Sequence, residues 1–115
     1  MHNFEKLDVY KRAVDIVNWL YDITKKYPRD EMFLMVNQLR RAAISITLNI
    51  AEGSGRTKKE FSHFLNISRT SAYECTALLQ ISARRKYISA EELKYGYKQL
   101  LIIIKMINKL KASLK

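Results

Sequence analysis

Apolar residues recur at intervals of three and four along almost the whole chain, and the pattern breaks at Pro28, at Gly53 with Gly55, and around Ser89. Such spacing predicts amphipathic helices, and the breaks divide the chain into four of them. The first runs from about Asp8 to Lys26. Tyr10, Val14, Val17, Tyr21 and Thr24 form its apolar face, widened by Val9, Ile16 and Ile23, with Asp8, Lys11, Asp15, Asn18 and Asp22 opposite. The second runs from about Arg29 to Glu52. Pro28 suits its start, because the N–H that proline lacks would be unpaired there anyway. Met32, Met35, Val36, Leu39, Ala43, Ile46 and Ile50 make its stripe, and Gly53 is placed to end it in a left-handed cap.

The third segment opens with Thr57-Lys58-Lys59-Glu60, a capping box in which threonine and glutamate satisfy each other's free backbone N–H groups. Phe61, Phe64, Leu65, Ala72, Cys75 and Leu79 share one face, with room for the helix to reach Lys86. The fourth opens with a second box, Ser89-Ala90-Glu91-Glu92. Its stripe is Leu93, Tyr97, Leu100, Ile104, Ile107 and Leu114, which places Tyr97 in the core. Four helices with short connections predict an all-α fold: an antiparallel up-down-up-down four-helix bundle, one domain over residues 1–115.

The apolar content exceeds what one stripe per helix requires. Phe33, Leu34, Ile44 and Leu48 lie off the main stripe of the second segment, and Ile102, Ile103 and Met106 lie beside that of the fourth. Surplus apolar faces of this kind mark interfaces, so self-association into a homo-oligomer is expected.

Charge adds a second expectation. The formal net charge is +10. Residues 1–56 carry nine basic and seven acidic side chains, and residues 57–115 carry twelve basic and four acidic, so +8 of the excess lies in the second half. A concentrated excess suits a polyanion. The candidate contacts are Lys58, Lys59 and Arg69 early in the third segment, Arg84, Arg85 and Lys86 at its end, and Lys94, Lys98, Lys105 and Lys109 on the fourth. The last four fall within about 60° on a helical wheel. Tyr87, Tyr95 and Tyr97 are candidates for stacking on exposed bases.

Catalytic and metal chemistry find little footing. His2 and His63 are the only histidines, and neither joins carboxylates at metal-ligand spacing, so no metal and no cofactor are expected. Gly53-Ser54-Gly55-Arg56 lacks the pattern and the lysine of a phosphate-binding loop. The single Cys75 lies on an apolar stripe, excludes an internal disulfide, and reads as inert packing in a reducing cytoplasm. The N-terminus lacks the basic start and apolar run of a signal peptide. The longest apolar run, Leu100 to Ile104, is far short of the roughly 20 residues that cross a bilayer, so no membrane partner is expected.

The second segment also carries a polar face. Gln38, Arg41, Ser45, Asn49 and Glu52 form a polar stripe on a largely apolar helix. It reads either as a ligand or RNA site, or as a hydrogen-bonded seam with Ser71 and Glu74 of the third segment. The seam reading predicts that Arg41 and Glu52 are held in hydrogen bonds or ion pairs.

The block that contains this stripe, Gln38 to Arg56 (QLRRAAISITLNIAEGSGR), resembles the four-helix-bundle proteins encoded by intervening sequences within bacterial 23S ribosomal RNA genes. Gln38, Arg40, Arg41, Ala42, Ser45, Asn49, Ile50, Ala51, Glu52 and Gly53 match that family's central block. Leu7 to Ala13 resembles its opening, and Phe61 to Glu74 its third helix. Where the family often has Ala-x-Gly-Ser, this chain has the bulkier Ser68-Arg69-Thr70-Ser71. The resemblance implies a left-handed bundle that assembles into a ring, a pentamer, with a basic surface and no catalytic activity. It also implies kinship with the accessory proteins of diversity-generating retroelements, which assist a reverse transcriptase, and so adds a nucleic-acid enzyme to the candidate partners. Two functions of different class follow: a nucleic-acid-binding module with little sequence specificity, or a scaffold whose basic face binds an acidic protein.

Overall fold

The computed structural model describes residues 2–115. Four α-helices carry the fold: α1 (Asp8–Thr24), α2 (Asn37–Ser54), α3 (Lys58–Arg84) and α4 (Ala90–Ser113). There is no strand among the described residues. Both capping boxes form as the sequence predicts. The Glu60 N–H donates to Thr57 Oγ1 at 3.2 Å, and the Ser89 N–H donates to Glu92 Oε1 at 2.9 Å. Each box fixes where its helix begins, and so which residues of α3 and α4 face outward.

The helices neighbour one another in a ring, α1 on α2 and α4, and α3 on α2 and α4. Cross-helix contacts set their directions. Ser71 meets Ser45 and Cys75 reaches toward Leu39, so α2 and α3 run in opposite senses. Arg69 meets Asn108 while Lys111 meets Asn66, which opposes α3 and α4. Lys26 pairs with Glu92, and Gly96 abuts Trp19, so α1 opposes α4. The molecule is a rod of 43 × 22 × 22 Å, cored by Ile16, Leu20, Leu39, Ile46, Ile50, Leu65, Leu79, Leu100, Ile103 and Ile107.

Several sequence expectations need correction. The buried face of α1 is Val9, Ala13, Ile16, Leu20, Ile23 and Thr24, while Tyr10, Val14 and Val17 are only half-buried and Tyr21 is exposed. The two ladders are offset by one residue. The one containing Ala13 wins, because a small side chain lets neighbouring helices approach and the tyrosines keep their hydroxyls near water.

The second segment does not begin as an α-helix. Arg29–Glu31 is a 3₁₀ turn and Met32–Val36 a π turn, and regular α2 starts only at Asn37. The wide turn leaves Phe33 87% and Leu34 64% exposed, and Leu48 further along is 60% exposed, so the surplus apolar surface of this segment is real. That of α4 is smaller than expected. Ile103 is fully buried, and Ile102 and Met106 are half-buried. Tyr97, expected in the core, is 46% exposed.

Gly53 does not cap α2 in a left-handed conformation. It lies inside the helix, which continues to Ser54, and no glycine has a positive φ among the described residues. Its reason is proximity: a Cβ there would lie 2.7 Å from Phe64 Cβ and 2.9 Å from Phe61 Cδ1. The left-handed position is Lys86 (φ 63°), so α3 stops at Arg84 short of it. Lys86 N–H donates to Ala83 O and Tyr87 N–H to Ser82 O, the paired bonds of a Schellman cap.

Gly53→Ala therefore sets a gain in helix propensity, about 1 kcal/mol, against a clash with an atom anchored to the α3 backbone. Overpacking at such a site costs about 1–3 kcal/mol. The expected outcome is net destabilisation, read as a lower urea midpoint; an increased midpoint would show that α3 can move away freely.

Candidate nucleic-acid interface

The ten basic candidates divide by position. Because α3 and α4 run in opposite senses, Arg84, Arg85 and Lys86 share one end of the rod with Lys94. Lys58 and Lys59 lie about 40 Å away along α3, toward the end that carries Lys109. Lys98 and Lys105 occupy the middle of α4. The ten thus form a strip along the rod rather than one patch. Nine are exposed, and Arg69 is half-buried.

None of the ten forms an ion pair among the described residues. Three of the four acids after residue 56, Glu60, Glu91 and Glu92, sit in the first turns of α3 and α4. There they complement the helix dipole. Glu92 also takes a hydrogen bond from Lys26, and with the Ser89 N–H this holds its carboxyl below the usual carboxylate range. Beyond these turns Glu74 is the one acid on either helix.

Arg69 is held in place. Its guanidinium donates to Asn108 at 2.6 Å and to Asn66 at 2.9 Å. Lys111, a residue that sequence reasoning missed, donates to the same Asn66 oxygen at 2.6 Å and to Ser62 Oγ at 3.2 Å. Desolvation, and then the neighbouring Arg69 and Lys115 charges, lower the Lys111 pKa. This cluster clamps α3 to α4. Asn66 and Asn108 were its only sequence signal, and asparagines on a basic face do not reveal their partners.

The tyrosines also sort by geometry. Tyr87 packs its ring on Tyr27 and donates its hydroxyl to Glu31 at 2.8 Å. Tyr95 packs on Trp19 with ring centroids 5.1 Å apart. Tyr73, absent from the sequence-based candidates, is 54% exposed.

The polar stripe of α2 splits in two. Ser45 and Asn49 belong to a seam: Asn49 Nδ2 donates to Ser45 O at 2.8 Å, and Ser71 Oγ donates to Ser45 Oγ at 2.9 Å. Ser68 Oγ extends the seam to Ile46 O at 2.9 Å. Arg69 and Thr70, the bulky departures from the family pattern, turn away from it, and Thr70 is exposed. Glu52 is exposed at the α2–α3 connection, where Arg56 bridges it and Glu60.

Arg41 does not take the expected role. It is exposed, with no hydrogen bond or ion pair among the described residues. With Gln38, Ser45, Ser71 and Glu74 it lines an open groove of about 630 Å³ beside Phe33. The structural arginine is its neighbour Arg40, whose Nε donates to buried Thr24 Oγ1 at 3.1 Å and whose guanidinium lies 4.3 Å from the Tyr21 ring centroid. One residue is 100° on a helix, which turns Arg40 toward α1 and Arg41 into the groove.

Cys75 is buried and its thiol is pushed up to about 12, chiefly by desolvation and then by Glu74, so it is an unreactive packing group. No group of three or more metal-ligating side chains converges among the described residues, and no helix is long and apolar enough to cross a membrane.

Fold and surface together define a class: a basic protein of four helices in which the ten candidate cations of the second half form no ion pair among the described residues. Residues 5–109 match the family model of the 23S rRNA-intervening sequence protein, and the chain belongs to that family. Among solved structures it resembles a protein of unknown function from the S23 ribosomal protein family of Bacteroides thetaiotaomicron. The two superpose with a TM-score of 0.83 at 23% identity, covering 90% of this chain and 95% of the other. No curated protein matches the chain.

The two halves of the stripe should respond differently to mutation. Arg41→Ala should shift stability by less than about 0.5 kcal/mol, as at an exposed position. Ser71→Ala removes a hydrogen bond from the seam and should cost about 1 kcal/mol. Urea denaturation of both variants checks this; an Arg41→Ala loss of about 3–5 kcal/mol would restore the buried-pair reading.

Proposed function

We propose that this protein works by binding rather than by catalysis, and that its ligand is nucleic acid, RNA or DNA, taken with little sequence preference. The observation that carries this is the unneutralised strip of Lys58, Lys59, Arg69, Arg84, Arg85, Lys86, Lys94, Lys98, Lys105 and Lys109, none of which forms an ion pair among the described residues. Phosphate contacts from such side chains give affinity without sequence information. A strip along a rod of 43 Å suits an elongated polyanion better than a compact acidic protein. The compartment this reading calls for is the cytoplasm.

The proposed assembly is a homo-oligomer, and the resemblance suggests a ring of five. Exposed Phe33, Leu34 and Leu48 support self-association, since apolar side chains that no helix of the chain covers are natural subunit contacts. A ring needs two different faces of each subunit to meet and close. Its basic strips would then repeat around the assembly and their fields would add. Light scattering should give a multiple of the 13.5 kDa chain mass; the monomer mass at micromolar concentration would refute self-association.

Binding is tested by a salt series. Affinity should fall with salt with a log–log slope of about −0.7 to −0.9 per phosphate contact. The double variant Lys98→Gln/Lys105→Gln should weaken binding to all sequences alike, flatten the slope and leave folding nearly intact, because exposed charges contribute little stability. Filter binding that stays at baseline for RNA and DNA at low salt would hand the function to the scaffold that recognises an acidic protein.

A further inference from the structure

We propose that the outward face shared by α3 and α4 is a platform for unpaired bases, so that this protein prefers single-stranded nucleic acid to duplex. The inference rests on the nucleic-acid reading above and narrows its ligand.

The aromatic rings of the surface differ in which are free. Tyr87 and Tyr95 are occupied by Tyr27 and Trp19, and Tyr21 lies under Arg40. Tyr73 and Tyr97, 54% and 46% exposed, pack against no other aromatic or cation and make no hydrogen bond among the described residues. Their placement is shared. The Arg69–Asn108 contact fixes the register of α3 against α4. One turn onward from that pair α3 presents Tyr73, while α4 presents Leu101 (39% exposed) two turns and Tyr97 three turns from Asn108. Lys98 adjoins Tyr97, Lys94 and Leu101 lie one turn to either side of it, and Lys105 lies one turn beyond Leu101. Two free aromatic rings therefore lie among cations on one strip.

This combination discriminates between nucleic-acid forms. Lysines contact phosphates on a single strand or a duplex alike. A ring can stack only on a base face, and in a duplex those faces are covered by neighbouring base pairs, leaving edges in the grooves. Exposed rings on a cationic strip thus add affinity only for unpaired nucleotides. Charge disfavours the rival occupant, a second copy docking by this same face, because it would set Lys94, Lys98 and Lys105 against their own equivalents.

The test uses the full chain with a labelled single strand of about twelve nucleotides, within the usual site size, and with the duplex of the same sequence, both at low salt. Wild type, Tyr73→Ala, Tyr97→Ala and Tyr97→Phe are compared, with circular dichroism and light scattering on each. The wild type is expected to bind the single strand more tightly. Each alanine variant should weaken single-strand binding by about 5- to 150-fold, the loss of one stacked base, and leave duplex binding unchanged. Tyr97→Phe should retain the wild-type value, since it keeps the ring. Alanine variants that leave both ligands unaffected, or weaken both equally, overturn the platform while the lysine-dependent reading stands. Absence of binding to either ligand by every protein overturns both. If Tyr97→Ala dissociates the assembly, the face is a subunit contact and the platform falls.

Discussion

The close approach of α2 and α3 is the constraint on which the rest of the structure depends. Small residues mark that contact along its length: Ser45 and Gly53 on α2, and Ser68, Ser71 and Cys75 on α3. Ser71 meets Ser45, and Ser68 donates to the carbonyl of Ile46. A buried hydroxyl without a partner costs more than the bond it makes is worth. The seam therefore fixes register as well as distance: sliding one helix by a residue would orphan both hydroxyls at once. Gly53 closes the seam by letting the Phe61 and Phe64 side chains lie against the α2 backbone.

That register propagates outward. With α3 fixed by α2, its far side meets α4, and the Arg69–Asn108–Asn66–Lys111 cluster locks the second pair. Gly96 completes the ring by admitting the Trp19 indole between α1 and α4, where a Cβ would lie 2.7 Å from Trp19 Cη2. Two of the three glycines thus mark close approaches of neighbouring helices, not flexible joints.

The sequence made some of this legible and hid the rest for physical reasons. Helix count, breaks and both capping boxes are local features, and all were readable. The rotation of α1 was not, since Val9-Ala13-Ile16-Leu20 and Tyr10-Val14-Val17-Tyr21 are both helical ladders and only the neighbours choose between them. The π turn at Met32–Val36 has no signature that periodicity can detect, because one wide turn in a continuous apolar run looks like a change of face. Gly53 was readable as special but misread in mechanism: a glycine near a helix end signals either a cap or a close contact, and the contact partner is remote in sequence. For the same reason the adjacent Arg40 and Arg41 could not be assigned, since α1 supplies Thr24 to one and nothing to the other. Tyr97 sits at the shoulder of the α4 stripe, where a helical wheel does not separate core from rim.

Charge placement in the second half separates two demands that often conflict. Helix starts need acids, and a polyanion-binding face must lack them. Glu60, Glu91 and Glu92 meet the first need within the first turns, with Glu60 and Glu92 bound into caps, and leave the helix bodies to lysine and arginine. The cost is visible in the spacing. Lys94 and Lys98, and Lys105 and Lys109, are like-charged pairs at i and i+4 within α4, which weaken a helix. Folding gains nothing from such pairs, and one acid in each would have removed the repulsion. α4 tolerates them because its stability comes from Leu100, Ile103, Ile104 and Ile107 on the opposite side. Phosphates lying along the strip would offset that repulsion, so the proposed ligand accounts for a pattern that the fold alone does not require.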